Sequence, residues 1–279
     1  MREKISACIT AGNEEHNIRR CLESVRWADE VVVVDSFSKD RTADICREYT
    51  PLVYQHRWLG YIGQKNLVRD MATNPWILFI DADEEVSPAL RKEIEDEFES
   101  GRNQAFAGYE FPRMVHYLGR WIKHGDWYPD VKLRLLRKDR CVCAGQEPHD
   151  QMQVKGPVSR LKSPLYHYTY VDISDQMVTI DRFSSITAHT MHQSGRRFRV
   201  FDLLFRPGFR FFRGYILKRG FLDGIPGFII AKSAAFGTFA KYAKVWELQT
   251  GASPDGSPRW DNNGAEVPTP SGKDYGQST

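Results

Sequence analysis

The chain has 279 residues, of which 41% are hydrophobic and 27% charged, enough to build one large α/β domain or a domain with an appendage. Its net charge of +3 is too small by itself to indicate nucleic-acid binding. No run of about 18 apolar residues occurs, so no spanning helix is expected. The opening Met1-Arg2-Glu3-Lys4 has no apolar signal region. Cys8, Cys21, Cys46, Cys141 and Cys143 are odd in number and include no CxxC pair, which reads as reduced, buried thiols in a cytosolic protein.

In chain order, Ile5 to Thr10 reads as a short strand. Asn13 then offers an N-cap, and Ile18, Cys21, Leu22 and Val25 repeat at helical spacing. Val31 to Val34 is a strand buried on both faces. Ser38 and Asp40 are caps for a helix through Ile45, Cys46 and Tyr49. Leu52 to His56 is a third strand, Gly63 to Met71 a helix, and Trp76 to Ile80 a fourth strand. Ser87-Pro88 starts a helix by N-cap and Pro-at-N1 chemistry, ending near Ser100-Gly101. This β-α-β-α order predicts an α/β fold with a mostly parallel, doubly wound sheet, whose ligands bind beyond the carboxyl ends of the strands.

Residues 1–104 thus read as one half of a domain and 105–195 as the other. In the second half, Phe106 to Met114, Val131 to Arg137 and Leu161 to Tyr168 are expected strands. A helix follows with Ile173, Met177, Ile180 and Phe183 on one face, closed by Gly195. Residues 196–250 form a basic, aromatic helical extension, which Pro207 and Gly208 are expected to break in two. Residues 251–279, rich in Gly, Ser, Pro and polar residues, are expected to be disordered.

Three polar motifs leave strands toward the same edge. Asp81-Ala82-Asp83-Glu84 follows the buried strand Ile77 to Ile80 directly. Two carboxylates at i and i+2 there hold one hard cation, Mg²⁺ or Mn²⁺, and bridge it to phosphate oxygens. The motif is short enough to arise by chance, and a solvated acidic loop is the plain alternative; its convergence with the other motifs favours a site. Asp83 is assigned to the metal, and Asp81 to a ribose hydroxyl or the metal and its water shell. Asp35 suits a base N–H or a ribose hydroxyl, with a turn-forming role as the alternative. Asn13 and Glu14 border the same edge or merely cap a helix, and Ser38 belongs to the polar loop after Asp35. Lys65 either neutralises a diphosphate or is a solvated helix lysine.

The series Ala11-Gly12-Asn13-Glu14-Glu15, Val33-Val34-Asp35-Ser36 with Ser38 and Asp40-Arg41-Thr42, Gly63-Gln64-Lys65-Asn66 and Phe79-Ile80-Asp81-Ala82-Asp83-Glu84 resembles the inverting family 2 glycosyltransferases. Within them it looks most like the bacterial lipopolysaccharide core transferases described as β-1,4-glucosyltransferases. The resemblance covers residues 1 to 250 and is strongest over 5 to 90. It implies a GT-A fold, a nucleotide-diphosphate sugar donor and a divalent metal, with Asp35 at the base and Asp81 to Asp83 at ribose and metal.

An inverting displacement also needs a carboxylate to take the acceptor's proton, and cations or metal to stabilise the leaving diphosphate. Similar enzymes carry a His followed by Glu or Asp near Gln146-Glu147-Pro148-His149-Asp150. Asp150 is therefore the first candidate for the base and Glu147 the second, with an ordinary polar loop as the alternative. His167 is either a third metal ligand or a satisfied histidine on an aromatic strand. Trp127 stacks on an acceptor sugar or packs in the core; Arg134 meets an acceptor phosphate or is solvated at the surface.

Between Arg196 and Gly220, eight Lys or Arg face one acid, Asp202, giving this window +7. Interleaved with phenylalanines, that composition suits the interface of an anionic membrane, or helices packed by their aromatic faces with arginines in solvent. The expectation is a metal-dependent transferase, peripheral on the inner face of a bacterial inner membrane. It would move a hexose, glucose first, from a UDP-sugar to a lipid-linked acceptor such as the lipopolysaccharide inner core. The alternatives are a non-catalytic nucleotide- or carbohydrate-binding module on the same fold, or a transferase for a polyprenyl-linked sugar or protein acceptor. A nucleic-acid-binding role is disfavoured because the motif edge is acidic, and a dehydrogenase because no GxGxxG follows the first strand.

Overall fold

The computed structural model describes residues 2–146 and 149–251. Glu147 and the segment after Gly251 lie outside them. Four strands, β1 (Ile5–Ala11), β2 (Glu30–Asp35), β3 (Val53–Gln55) and β4 (Trp76–Asp81), pair in parallel in the order β3-β2-β1-β4. Both faces are covered, so alternate residues are buried on opposite sides. Ile5, Ala7 and Ile9 share one core with Trp76, Leu78 and Ile80, while Cys8, Val32, Val34, Ile77 and Phe79 form another. Helices α1 (Ile18–Val25) and α2 (Thr42–Arg47) cover the first face; α3 (Gly60–Met71) covers the second through Val68.

After β4 come β5 (Glu84–Val86) and α4 (Pro88–Glu99), where the Ser87 hydroxyl accepts a bond from Leu90 N at 3.1 Å, as expected of an N-cap before proline. The second half adds β6 (Gly108–Tyr117), β7 (Arg120–Trp121), β8 (Asp130–Arg137), β9 (Cys141–Gln146), β10 (His149–Val154), β11 (Val158–Arg160) and β12 (Leu165–His167). The main sheet runs β3-β2-β1-β4-β8-β6-β12-β5. It is mostly parallel, with β8 and β5 reversed. The chain ends in α5 (Ile173–Gln193), α6 (Val200–Phe212) and α7 (Gly224–Thr250), with α5 and α6 packed along α7.

Several local expectations are corrected. Asn13 does not cap a helix: α1 begins at Ile18, and Asn13 sits at φ 56° in the left-handed region that Asn tolerates. The single strand expected over Leu161 to Tyr168 is two short ones, β11 and β12, parted around Pro164, which has no N–H for a ladder. The polar loop expected around Asp150 is instead paired strand, with Asp150 opposite Gly145. Pro207 does not split the extension, because packing along α7 carries α6 through it.

The basic segment is the reverse of an aromatic-in helix. Asp202 is buried on α6, whereas Phe201, Leu204, Phe205 and Phe209 are 58–64% exposed. No helix among the described residues is long and apolar enough to cross a membrane. All five cysteines are free and buried, and burial pushes the Cys46 and Cys143 thiols up to about 12.

Candidate active site

The carboxyl ends of β1, β2 and β4 finish level, with Ala11 opposite Asp35 and Thr10 opposite Asp81. Above them lies a cavity of about 630 Å³ whose walls include Asn13, Glu14, Lys65, Asp83, Asp150 and His167. The loops after β1 and β2 brace each other. Asn13 N donates to Ser38 Oγ at 2.8 Å, and Lys39 N donates back to Asn13 Oδ1 at 2.8 Å. The Ser38 hydroxyl and backbone N–H both donate to Asp35, as does Gln55 Nε2 at 3.0 Å. Asp35 is fully buried by these contacts, so in this arrangement it offers no exposed oxygen to a base or ribose and instead fixes the loop. Ser36 and Gln64 take its place on the wall. Gln64 Nε2 donates to Ser36 Oγ at 2.8 Å, and Gln64 Oε1 is buried without a partner.

At the end of β4 the two aspartates have different surroundings. Asp81 Oδ2 lies 2.5 Å from Arg134 Nη2, and Asp81 Oδ1 lies 3.3 Å from Lys65 Nζ. Burial alone would raise its pKa, but Arg134 and Lys65 outweigh that and hold it far below the usual carboxylate range. Arg134 also reaches Glu84 Oε1 at 2.8 Å and is 5% exposed. The expected acceptor-side or solvated Arg134 is thus corrected: on β8, next to β4, it points into the buried carboxylates and not into the cavity.

Asp83 is the freer of the pair. Its Oδ2 lies 3.0 Å from His167 Nε2. Strand pairing sets this meeting, since His167 is opposite Glu84 and Tyr168 N donates to Asp83 O at 2.9 Å. Among the described residues no three His, Cys, Asp or Glu side chains gather as a complete metal site. A carboxylate and an imidazole suit a cation such as Mg²⁺ or Mn²⁺ that takes its remaining ligands from phosphate and water.

Lys65 is 6% exposed and lies 2.8 Å from Asp150 Oδ2, so the expected cleft lysine and candidate base are brought together. Burial would lower the Lys65 pKa; Asp81 and Asp150 reverse that and keep it charged. Glu14 is pushed up by burial and then by Asp83, despite a bond from Asn17 Nδ2 at 3.0 Å. Trp127 lies outside this cavity, against Tyr117 and Tyr170 at 5.2 and 5.8 Å.

Sequence reasoning missed Asp175 and Arg182, which enter the cavity from α5. Arg182 Nε is buried without a hydrogen-bond partner, and its guanidinium lies 5.1 Å from the Phe183 ring. The available signal was a polar stripe at helical spacing, Asp175, Thr179 and Arg182, within the expected helix.

The model of Glycosyl transferase family 2 matches residues 6–156. A glycosyltransferase of Rickettsia typhi is 33% identical over 257 residues, 88% of each chain. The lipopolysaccharide core biosynthesis glycosyltransferase LpsC of Rhizobium meliloti is 28% identical, covering 87% of this chain and 92% of its own. Among solved structures, S. aureus TarS in complex with UDP-GlcNAc overlays with a TM-score of 0.46 at 15% identity, over 89% of this chain and 92% of that one. The sheet order and its helices form the GT-A-like arrangement expected above. With more than half its length matched by the family model and a relative aligned over nearly nine-tenths of it, the chain belongs to glycosyl transferase family 2 and is a glycosyltransferase.

Proposed function

We propose that this glycosyltransferase moves a hexose, glucose first, from a UDP-sugar to a lipid-linked saccharide of the lipopolysaccharide-core class by one metal-dependent displacement. The observation that carries the reading is the Asp83–His167 pair, 3.0 Å apart on the wall of a cavity that also holds Glu14, Asp150 and Asp175. Such a wall repels a diphosphate unless a cation intervenes. Bound at Asp83 and His167, Mg²⁺ or Mn²⁺ supplies neutralisation of both phosphates and of the leaving oxygen. Arg182 brings a second charge, and Gln64 Oε1 accepts from a base or ribose donor. Asp81 holds Lys65 and Arg134 in place behind the metal pair.

In this reading Asp150, held 2.8 Å from Lys65, takes the acceptor hydroxyl's proton as its oxygen bonds to the anomeric carbon. The bond to the diphosphate oxygen breaks on the opposite face, and the electron pair leaves with it. Glu147 is the second candidate for the base. The name of LpsC supports the acceptor class. The exposed phenylalanines among the arginines of α6 support docking on an anionic membrane, and hence a peripheral location on its inner face.

A panel of nucleotide sugars with and without Mn²⁺ tests this. UDP-glucose is expected to stabilise the protein thermally and to be slowly hydrolysed, both only with metal. Asp83→Ala and His167→Ala are expected to lose Mn²⁺ binding by electron paramagnetic resonance as well as turnover. Asp150→Asn should keep metal and donor binding but lose about 10²–10⁴ in kcat. If Glu147→Gln shows that loss and Asp150→Asn does not, the base is Glu147. Retention of Mn²⁺ binding by both metal-pair variants would overturn the site.

A further inference from the structure

Next to the donor cavity lies a second one of about 420 Å³, between α5, α7 and the turn carrying Trp127. Tyr170, Thr179 and Phe183 line both, so the two spaces share a wall. Besides Gln176 and the apolar Ile180, Ile230 and Ala234, the residues peculiar to the second cavity include three polar or aromatic kinds. Trp127 adds an aromatic ring to the shared Tyr170 and Phe183. Hydroxyls come from Ser184 and Thr187 on α5 and from Ser233 and Thr238 on α7. Cations come from Lys241 on α7 and Arg210 on α6. Its volume lies within the usual range of ligand pockets, roughly 300–1,000 Å³.

The charge here is unbalanced. Lys241 has no carboxylate within 4.0 Å among the described residues; its one close partner is the Tyr242 ring at 4.8 Å. Around it stand Arg196, Arg206 and Arg210, and after burial these like charges lower its pKa. Asp202 answers Arg206 at 2.5 Å and Arg196 at 3.7 Å. Asp126 answers Arg210 at 3.2 Å but is shared with Arg213 at 2.9 Å and Lys218 at 3.0 Å. Six cations thus meet two carboxylates, and the lysine at the cavity feels Asp202 only beyond ion-pair distance. Aromatic faces and hydroxyls are what a pyranose ring needs, and a partly buried lysine beside an arginine is what a phosphate or carboxylate on that ring needs.

We propose that this second cavity is the acceptor site and that it takes an anionic saccharide, one bearing a phosphate or carboxylate that Lys241 and Arg210 read. The inference rests on the transferase reading above and names its acceptor's charge. Trp127, expected from sequence on the acceptor side, lies in this cavity.

The test titrates the full chain with glucose 6-phosphate, glucose, inorganic phosphate and phosphatidylglycerol vesicles, all with UDP and Mn²⁺ present to fill the donor cavity. Glucose 6-phosphate is expected to bind at least ten-fold more tightly than glucose or inorganic phosphate. Lys241→Ala should abolish that advantage, Lys241→Arg should keep it, and Thr238→Phe should block the sugar probe by volume without removing charge. The proposal is overturned if inorganic phosphate binds as well as the sugar phosphate, if neither Lys241→Ala nor Thr238→Phe weakens the sugar phosphate, or if only the vesicles bind. Failure of UDP itself to bind would sink the UDP-sugar donor reading while the sugar titration, repeated without it, still judges the second cavity.

Discussion

Arg134 is the residue on which the acidic floor of the site depends. Glu84 is fully buried and shares its charge between Arg134 at 2.8 Å and Arg113 at 3.1 Å. Arg134→Met keeps most of the volume and removes the charge, leaving the buried Glu84 and the partly exposed Asp81 each short of a partner. A loss of about 3–5 kcal/mol is expected, read as a lower urea midpoint, and an unchanged midpoint would contradict the role given to Arg134. This part of the site was hidden in the sequence for a definite reason. Asp81 and Asp83 were legible because they follow their strand directly. The meeting of Arg134 with Asp81 requires the antiparallel insertion of β8 beside β4, which no local pattern around Arg134 announces. Arg182 was hidden differently: its helix was expected, but which face of that helix meets the cavity is a matter of tertiary packing.

At the scale of elements, the C-terminal helices are fastened by two buried acids. Asp223 accepts from Lys123 N and His124 N at 3.1 and 2.8 Å, and Asp126 gathers Arg210, Arg213 and Lys218. Where they meet, a Cβ on Gly227 would come within 2.0 Å of Gly220 O, so only glycine permits the approach. Burial would raise Asp126, but Lys218 and the two arginines hold it below its ordinary value. A carboxyl depressed in the folded state contributes its stabilisation above the unfolded pKa, about 3.9, and loses it as pH falls through the folded value. The protection of amides in α6 and α7, measured against their intrinsic exchange at each pH, is therefore expected to fall below about pH 4, and Asp126→Asn should show that loss of protection already at pH 7. Equal protection in variant and parent would remove Asp126 from this role. The elements legible beforehand were those with strong local signals, the valine run of β2 and the Ser87-Pro88 start of α4. The short β5 escaped because its partner β12 is distant in sequence; β7 pairs with the adjacent end of β6 but has only two residues, and β9 and β10 pair with each other through polar stretches around Gly145 and Asp150 that carry no apolar alternation.

Across the whole molecule, the charge and the exposed phenylalanines fall on the same helical extension, and that coincidence sets a measurable surface property. The chain is expected to sediment with phosphatidylglycerol vesicles at low salt, to be released by about 0.5 M salt as charges are screened, and to lose most binding as Phe205→Ser/Phe209→Ser. Indifference to the vesicles would remove the membrane from the proposed function. The sequence marked this segment as basic and aromatic; it did not reveal that the phenylalanines face outward, because periodicity identifies a helix face without naming its neighbour. The strand order carries one more consequence. β5, from the first half of the chain, closes the sheet beyond β12, from the second half, so Asp83 and His167 reach their 3.0 Å separation only when the two halves are threaded together. Residues 1–104 are therefore no freestanding donor module that could be lifted onto another scaffold. Half of the proposed metal pair would stay behind, and the smallest portable unit that keeps Asp83 and His167 together runs through the end of β12.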